Sequence, residues 1–224
     1  MVKEFENKKE WALILGGSSG LGLATAKKLA QHGMNICIVY RNSRSQLDQM
    51  KRDFREITQE SVGFVSYNMD AFQPKKRIKL IEGLKKELDD GKIKVLVHSV
   101  AKGNLKPMVS NSVQVLQTDD FQLTIQAMGI SLYDWVKAVF EAKLFSDDGR
   151  VVSFTSEGNS KALRNYAAVS AAKVTLEAIT RNIALEFASF GIRANCIQAG
   201  VTDTASFRMI PDLSLIHISE PTRQ

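Results

Sequence analysis

Short β-branched runs alternate with longer amphipathic segments from one end of this chain to the other. "WALILG" is followed by "SGLGLATAKKLAQHG", "NICIVY" by "RSQLDQMKRDFREI", and "VGFVSY" by "PKKRIKLIEGLKKEL". The second half continues with "IKVLVHS", a long segment over residues 119–144, "RVVSFTS", a helix-like run over residues 165–190, and "IRANCIQ". The apolar runs have the length of strands and the amphipathic ones the length of helices, so the pattern reads as a strand–helix unit repeated. Such a repeat requires right-handed crossovers, which make the strands parallel and cover both faces of the sheet. A doubly wound α/β fold in three α/β/α layers is predicted, with ligands bound at the carboxyl ends of the strands. Gly33 and Gly191 stand where two helices should stop, in the left-handed conformation that such ends favour.

Composition narrows the function classes. The chain has 224 residues, 44% of them hydrophobic, and no Pro/Gly-rich linker divides it, so residues 1–212 are expected to form one domain. Its apolar runs fall far short of the roughly 20 residues of a membrane span. The N-terminus "MVKEFENKKEW" lacks an apolar stretch followed by a cleavage site, so a cytoplasmic location is expected. Cys37 and Cys196 sit in apolar strand-like runs and read as small buried hydrophobes rather than a disulfide or metal site. The net charge of +6 is spread over clusters such as Lys75–Arg77 and Lys85/Lys86 on solvated helix faces, and no aromatic interleaving suggests nucleic acid.

"LILGGSSGLGLATA" places Gly16, Gly20 and Gly22 where the first strand passes into the first helix. Glycines there allow a tight turn and close backbone approach, and the helix start at Gly20–Leu21 offers free N–H groups to a pyrophosphate, with Ser18 and Ser19 as further donors. The alternative is a glycine-rich turn without a ligand. A dinucleotide fold that uses NAD carries an acidic residue at the end of its second strand. Here the stretch is "VYRNSRS", in which Arg41, with Arg44 nearby, suits a 2′-phosphate, so NADPH is expected over NADH. The alternative is a pair of solvated loop arginines. Asp70 and Ala71 end the third strand, where the carboxylate could accept from an adenine amino group or cap the helix that begins near Pro74.

In "NYAAVSAAK", Tyr166 and Lys173 are seven positions apart. On one helix they would share a face while standing about 10 Å apart along its axis. Tyr166 could also be a half-buried structural tyrosine, and Ser156, closing the fifth strand, could merely cap the next turn. Tyr67, Tyr133 and Trp135 fit core patterns better than a site.

Taken together, "GGSSGLG", "SVAKG" after strand four, "SFTS" closing strand five, the Tyr and Lys of the next helix and "IRANCIQAGVTDT" resemble the short-chain dehydrogenase/reductase superfamily over residues 9–212. The resemblance implies a hydride-transferring oxidoreductase. In it Lys173 would bind the nicotinamide ribose, Tyr166 donate a proton and Ser156 orient the substrate oxygen. Gly200, Val201, Thr202 and Thr204 would line the nicotinamide and phosphates, and Ser99, Val100 and Ala101 would also bind the cofactor.

Two departures from the larger, ketone-reducing branch stand out. Four residues before the lysine, where that branch has its tyrosine, this chain has Val169, and Met128 falls where that branch has an asparagine. Tyr-x6-Lys is similar instead to the enoyl-acyl-carrier-protein reductase branch, and "HSVAKG", with Ser99, agrees. That branch often has a second tyrosine where Ser156 falls. The resemblance therefore implies NADPH-dependent reduction of an enoyl thioester carried by acyl carrier protein or coenzyme A, in a full-length form that is a homotetramer. A carbonyl or 3-oxoacyl-thioester reductase and a non-catalytic NADPH-binding protein are the alternatives.

Residues 213–224, "LSLIHISEPTRQ", continue no helix or strand period and resemble the translation of a transposase adapter used in sequencing libraries. The chain is accordingly expected to stop before a last strand and a substrate-covering helix, and His217 to carry no function.

Overall fold

The computed structural model describes residues 3–210. Six parallel strands form one sheet: β1 (Glu10–Leu15), β2 (Asn35–Tyr40), β3 (Phe64–Asn68), β4 (Lys92–His98), β5 (Phe145–Thr155) and β6 (Arg193–Gln198), in the order β3-β2-β1-β4-β5-β6. Between them run α1 (Gly20–Gln31), α2 (Leu47–Thr58), α3 (Pro74–Glu87), α4 (Thr118–Ile125), α5 (Ser131–Glu141) and α6 (Ala167–Glu186), with a short α7 (Ala205–Arg208) after β6. The doubly wound fold expected from the strand–helix alternation is present. Among the described residues, no helix is long and apolar enough to cross a membrane.

The continuous apolar runs of β1 and β2 follow from burial on both faces of the sheet. Leu13 and Leu15 of β1 enter one core with Val39, Leu84, Leu96, Leu132, Trp135 and Leu176. Ala12 and Ile14 enter the other with Ile36, Ile38, Phe54, Ile57 and the small residues Ala26 and Ala30. Trp135 is fully buried, and its Nε1 donates to the Ala71 carbonyl at 3.1 Å. Removing about 200 Å² of indole from water at about 25 cal/mol per Å² favours the fold by about 5 kcal/mol. The indole also fixes the turn after β3.

The chain winds outward from β1 through β2 to β3, then crosses back to place β4 on the other side of β1. This reversal opens a crevice at the carboxyl ends of β1 and β4.

Several boundaries differ from the sequence pattern. The segment over residues 119–144 is two α-helices joined by a π turn (Gln126–Ile130), not one regular helix. A Cβ on Gly129 would lie 3.0 Å from Thr175 of α6, so the wide turn sits against a closely approaching neighbour. Helix α6 begins at Ala167 rather than Asn165, because Asn165 has φ 61° and Tyr166 is the residue that precedes the helix. Tyr133 is 43% exposed and not a core residue, and Cys196 is only half-buried. Gly33 and Gly191 do adopt positive φ, 86° and 77°. The tail over residues 213–224 and its His217 lie outside the described residues.

Candidate active site

The glycine loop is built by contact between two strand ends. Gly16 follows β1 with φ 81° and donates its N–H to the Val39 carbonyl at 2.8 Å, while Ser99 N–H donates to the Leu15 carbonyl at 2.8 Å. A Cβ on Gly16 would stand 2.3 Å from the Ser99 carbonyl oxygen, and one on Gly22 2.3 Å from the Gly16 carbonyl oxygen. Only glycine fits this crossing, which brings the turns after β1 and β4 together at the switch point.

Ser19 precedes α1 in extended conformation, but its side chain makes no cap bond, and no acidic residue occupies the first turn. Among the described residues nothing caps the N–H groups at Gly20, Leu21 and Gly22, and together with the positive end of the helix dipole they suit a phosphate. Thr204 closes over this loop, its Cγ2 3.4 Å from where a Cβ on Gly20 would stand. Thr204 also accepts from Phe207 N–H at 3.2 Å as the cap of α7, and Thr202 Oγ1 donates to the Gly200 carbonyl at 3.1 Å. Val201 is half exposed at the same mouth. Val100 and Ala101 follow Ser99, the Val100 nitrogen 3.3 Å from where a Cβ on Gly16 would stand.

The loop after β2 is tied to its surroundings by Asn42 and Asn68, which the sequence pattern did not single out, and by Ser18, whose hydroxyl proton, expected to face a pyrophosphate, goes to Asn42 instead. Ser18 Oγ donates to Asn42 Oδ1 at 2.8 Å. Asn42 N–H donates to Asn68 Oδ1 at 3.2 Å, and Asn68 Nδ2 donates back to the Asn42 carbonyl at 3.1 Å. Arg41 Nη1 lies 3.2 Å from Asp70 Oδ2, and Asp70 Oδ1 accepts from Phe72 N–H at 3.1 Å. Helix α3 is preceded by Gln73, so Asp70 does not cap it. Ala71 contributes its carbonyl to Trp135.

The end of β5 gathers the Tyr, Ser and Lys. Ser156 Oγ is 3.2 Å from Tyr166 Oη, and Lys173 Nζ donates to the Phe154 carbonyl at 2.6 Å. Tyr166 and Lys173 are each only 8% exposed. Burial lowers the Lys173 pKa to about 8, against smaller opposing contributions from Cys196 and Glu177. Glu177, one turn further along α6, accepts from both Thr155 and Asn159 and so pins the segment after β5 to the helix. The Tyr166 ring lies on Gly158, where a Cβ would stand 2.4 Å from Cε1, and Ser170 Oγ donates to the Gly158 carbonyl. The glycine two positions after Ser156 was the available sequence signal for this contact.

Val169, four residues before Lys173, is buried in an apolar cluster with Ala127, Met128, Tyr166 and Ala172. Met128 therefore packs beside the tyrosine and offers no amide. Behind this wall, the buried His98 Nε2 is 2.7 Å from Ser131 Oγ, which is itself 2.8 Å from the Ala127 carbonyl. Burial, reinforced by the Lys173 charge, lowers the His98 pKa to about 3, so the imidazole is neutral. Among the described residues no group of His, Cys, Asp or Glu could hold a metal.

The family described as Enoyl-(Acyl carrier protein) reductase matches residues 16–219. The chain belongs to this family. An enoyl-acyl-carrier-protein reductase FabI of Staphylococcus aureus, named for NADPH, is 27% identical, covering 94% of this chain and 79% of that protein. One from Enterococcus faecalis, named for NADH, is 29% identical, covering 96% and 81%. Among solved structures, a dehydrogenase/reductase from Sinorhizobium meliloti superposes with a TM-score of 0.78 at 21% identity, covering 91% of this chain and 77% of that one. A Burkholderia cenocepacia dehydrogenase with bound NADP gives 0.75 at 22% identity, covering 92% and 74%. Membership of this family places the chain in the short-chain dehydrogenase/reductase superfamily, and enzymes named for NADH and for NADPH both stand among its relatives.

Proposed function

We propose that this protein reduces the carbon–carbon double bond of an enoyl thioester, carried by acyl carrier protein or coenzyme A, with NADPH as the reductant. The observation that carries the reading is the placement of Tyr166. Its hydroxyl sits beside Ser156, while the position one turn closer to Lys173 is filled by buried Val169, which has no proton to give.

A nicotinamide held in the crevice would supply a hydride, which for a conjugated double bond would land on the β carbon, a proton from solvent then completing the α carbon. Before that proton arrives, negative charge develops on the thioester oxygen, beyond the carbon that takes the hydride. Its stabiliser must stand further out than the proton donor of a ketone reductase, and Tyr166, at the start of α6, meets that requirement. A hydrogen bond aimed at that oxygen from a site with little water is worth about 3 kcal/mol of transition-state stabilisation. Gly158 holds the phenol ring from below and Ser156 from its hydroxyl end.

Lys173 spends one N–H on the Phe154 carbonyl, leaving two donors for ribose hydroxyls, and its charge eases polarisation of the phenol. Gly16, Gly20, Gly22 and the free N–H groups of α1 would hold the pyrophosphate, with Ser18, Ser19, Gly200, Val201, Thr202 and Thr204 at the rim. Arg41 would meet the 2′-phosphate.

A crotonyl thioester assay following NADPH absorbance tests the reading. Turnover of crotonyl and not 3-oxoacyl thioester is expected, and the reverse would overturn it. The 3.2 Å Ser156–Tyr166 pair also suits a single carbonyl oxygen, which is the observation favouring carbonyl reduction as the second reading.

A further inference from the structure

Arg41 emerges from β2 with its side chain 64% exposed, yet its charge is already countered. Asp70, at the end of the adjacent strand β3 and only 18% exposed, holds Nη1 at 3.2 Å. The surroundings of both partners are anchored. The backbone beside Arg41 is tethered by the paired bonds between Asn42 and Asn68 and by Ser18 Oγ on Asn42. The Asp70 carboxylate is anchored through its second oxygen by Phe72 N–H at 3.1 Å. The ion pair therefore joins two anchored stretches of backbone beside the crevice.

We propose that Asp70 is a specificity-determining residue that lowers the preference for NADPH over NADH by acting as the counter-ion of Arg41. The inference rests on the reading of Arg41 as the 2′-phosphate contact. A 2′-phosphate brought to Arg41 must displace the carboxylate or share the guanidinium with it, and in either case two like-charged groups are pressed together. A 2′-hydroxyl is neutral and meets no such cost. Asp70 thus narrows the gap between the two cofactors. A role in accepting from the adenine amino group would behave differently, because both cofactors carry the same adenine and would respond equally.

The test uses the 224-residue chain and titrates NADPH and NADH separately by the change in nicotinamide fluorescence on binding. Asp70→Asn keeps the shape and the acceptor facing Phe72 N–H and removes the charge. Tightening of NADPH by about three- to fivefold, the scale of one partly exposed ion pair, with NADH changed by less than about twofold, is expected. An equal change for both cofactors, or weaker NADPH binding, overturns the proposal. Arg41→Ala separates the two levels of inference. If it weakens NADPH alone while Asp70→Asn moves both cofactors equally, the cofactor reading stands and the counter-ion role falls. If Arg41→Ala leaves the NADPH/NADH ratio unchanged, the 2′-phosphate reading falls and takes the counter-ion role with it.

Discussion

His98 Nε2 and Ser131 Oγ stand 2.7 Å apart in the interior, and the Ser131 hydroxyl donates onward to the Ala127 carbonyl at 2.8 Å. With its one proton spent on Ala127, Ser131 must accept from His98, which fixes the imidazole as the neutral Nε2–H tautomer. The unfolded imidazole titrates near pH 6.5, whereas burial and the nearby Lys173 charge hold the folded one at about 3. Between those values the unfolded chain binds a proton that the folded chain refuses, so stability falls as pH drops from 6.5 toward 3. The slope from this group approaches about 1.4 kcal/mol per pH unit. His98→Gln, which still offers Ser131 an N–H donor, should flatten that part of the profile, as read from urea midpoints measured across the range.

Lys173 gives the opposite limb. Its folded pKa of about 8 lies below the 10.5 of a free lysine because the ammonium is buried. Catalysis that needs the charged form should decline as pH rises through about 8, visible in kcat/KM, which reports the free enzyme. Stability should move the other way. From pH 8 to 10.5 the unfolded chain holds a proton that the folded chain has released, so the cost of burying the charge is relieved as pH rises. A denaturation series on Lys173→Met should lack this gain.

Removing the Tyr166 hydroxyl should lower kcat on a crotonyl thioester by about 100-fold, the loss of one preorganised hydrogen bond to the developing oxyanion. The same Tyr166→Phe protein should bind NADPH and unfold at nearly the parent temperature. Ser156→Ala, which loses only the neighbour of that hydroxyl, should cost less than about tenfold.

Gly158→Ala tests the support beneath the ring. The added methyl would lie 2.4 Å from Tyr166 Cε1, so the phenol must move. We expect a stability loss of about 1–3 kcal/mol and a fall in kcat larger than the change in KM for NADPH. Parallel thermal melts and steady-state kinetics check both.

The architecture was legible because β1 and β2 are apolar on both faces while the segments between strands are apolar on one, so the alternation of "NICIVY" with "RSQLDQMKRDFREI" already encodes a sheet between two layers. The glycine loop was legible for a related reason, since Gly16 and Gly22 occupy places where any Cβ would strike a backbone carbonyl. The Asn42–Asn68 strap and the His98–Ser131–Ala127 chain were not, because polar pairs distant in sequence leave no periodic trace. Tyr166 was read as a helical residue, whereas Asn165 turns left-handed and sets it just outside α6. Arg41 and Asp70 were each read toward a ligand, and their bond to one another joins two strand ends 29 residues apart, which leaves no local pattern.

The π turn has a further meaning for the helices on either side of it. Thr124, Met128, Leu132 and Val136 are buried, and so are Ala127, Ser131, Trp135 and Val139, two rows that repeat every four residues. On a regular helix at 3.6 residues per turn, each such step would drift about 40° around the axis, and the rows would spiral away from the sheet. The wider turn takes up that slack, since its residues advance by a smaller angle. One continuous rod can then keep Met128 on the tyrosine while Trp135 and Val139 still face the core.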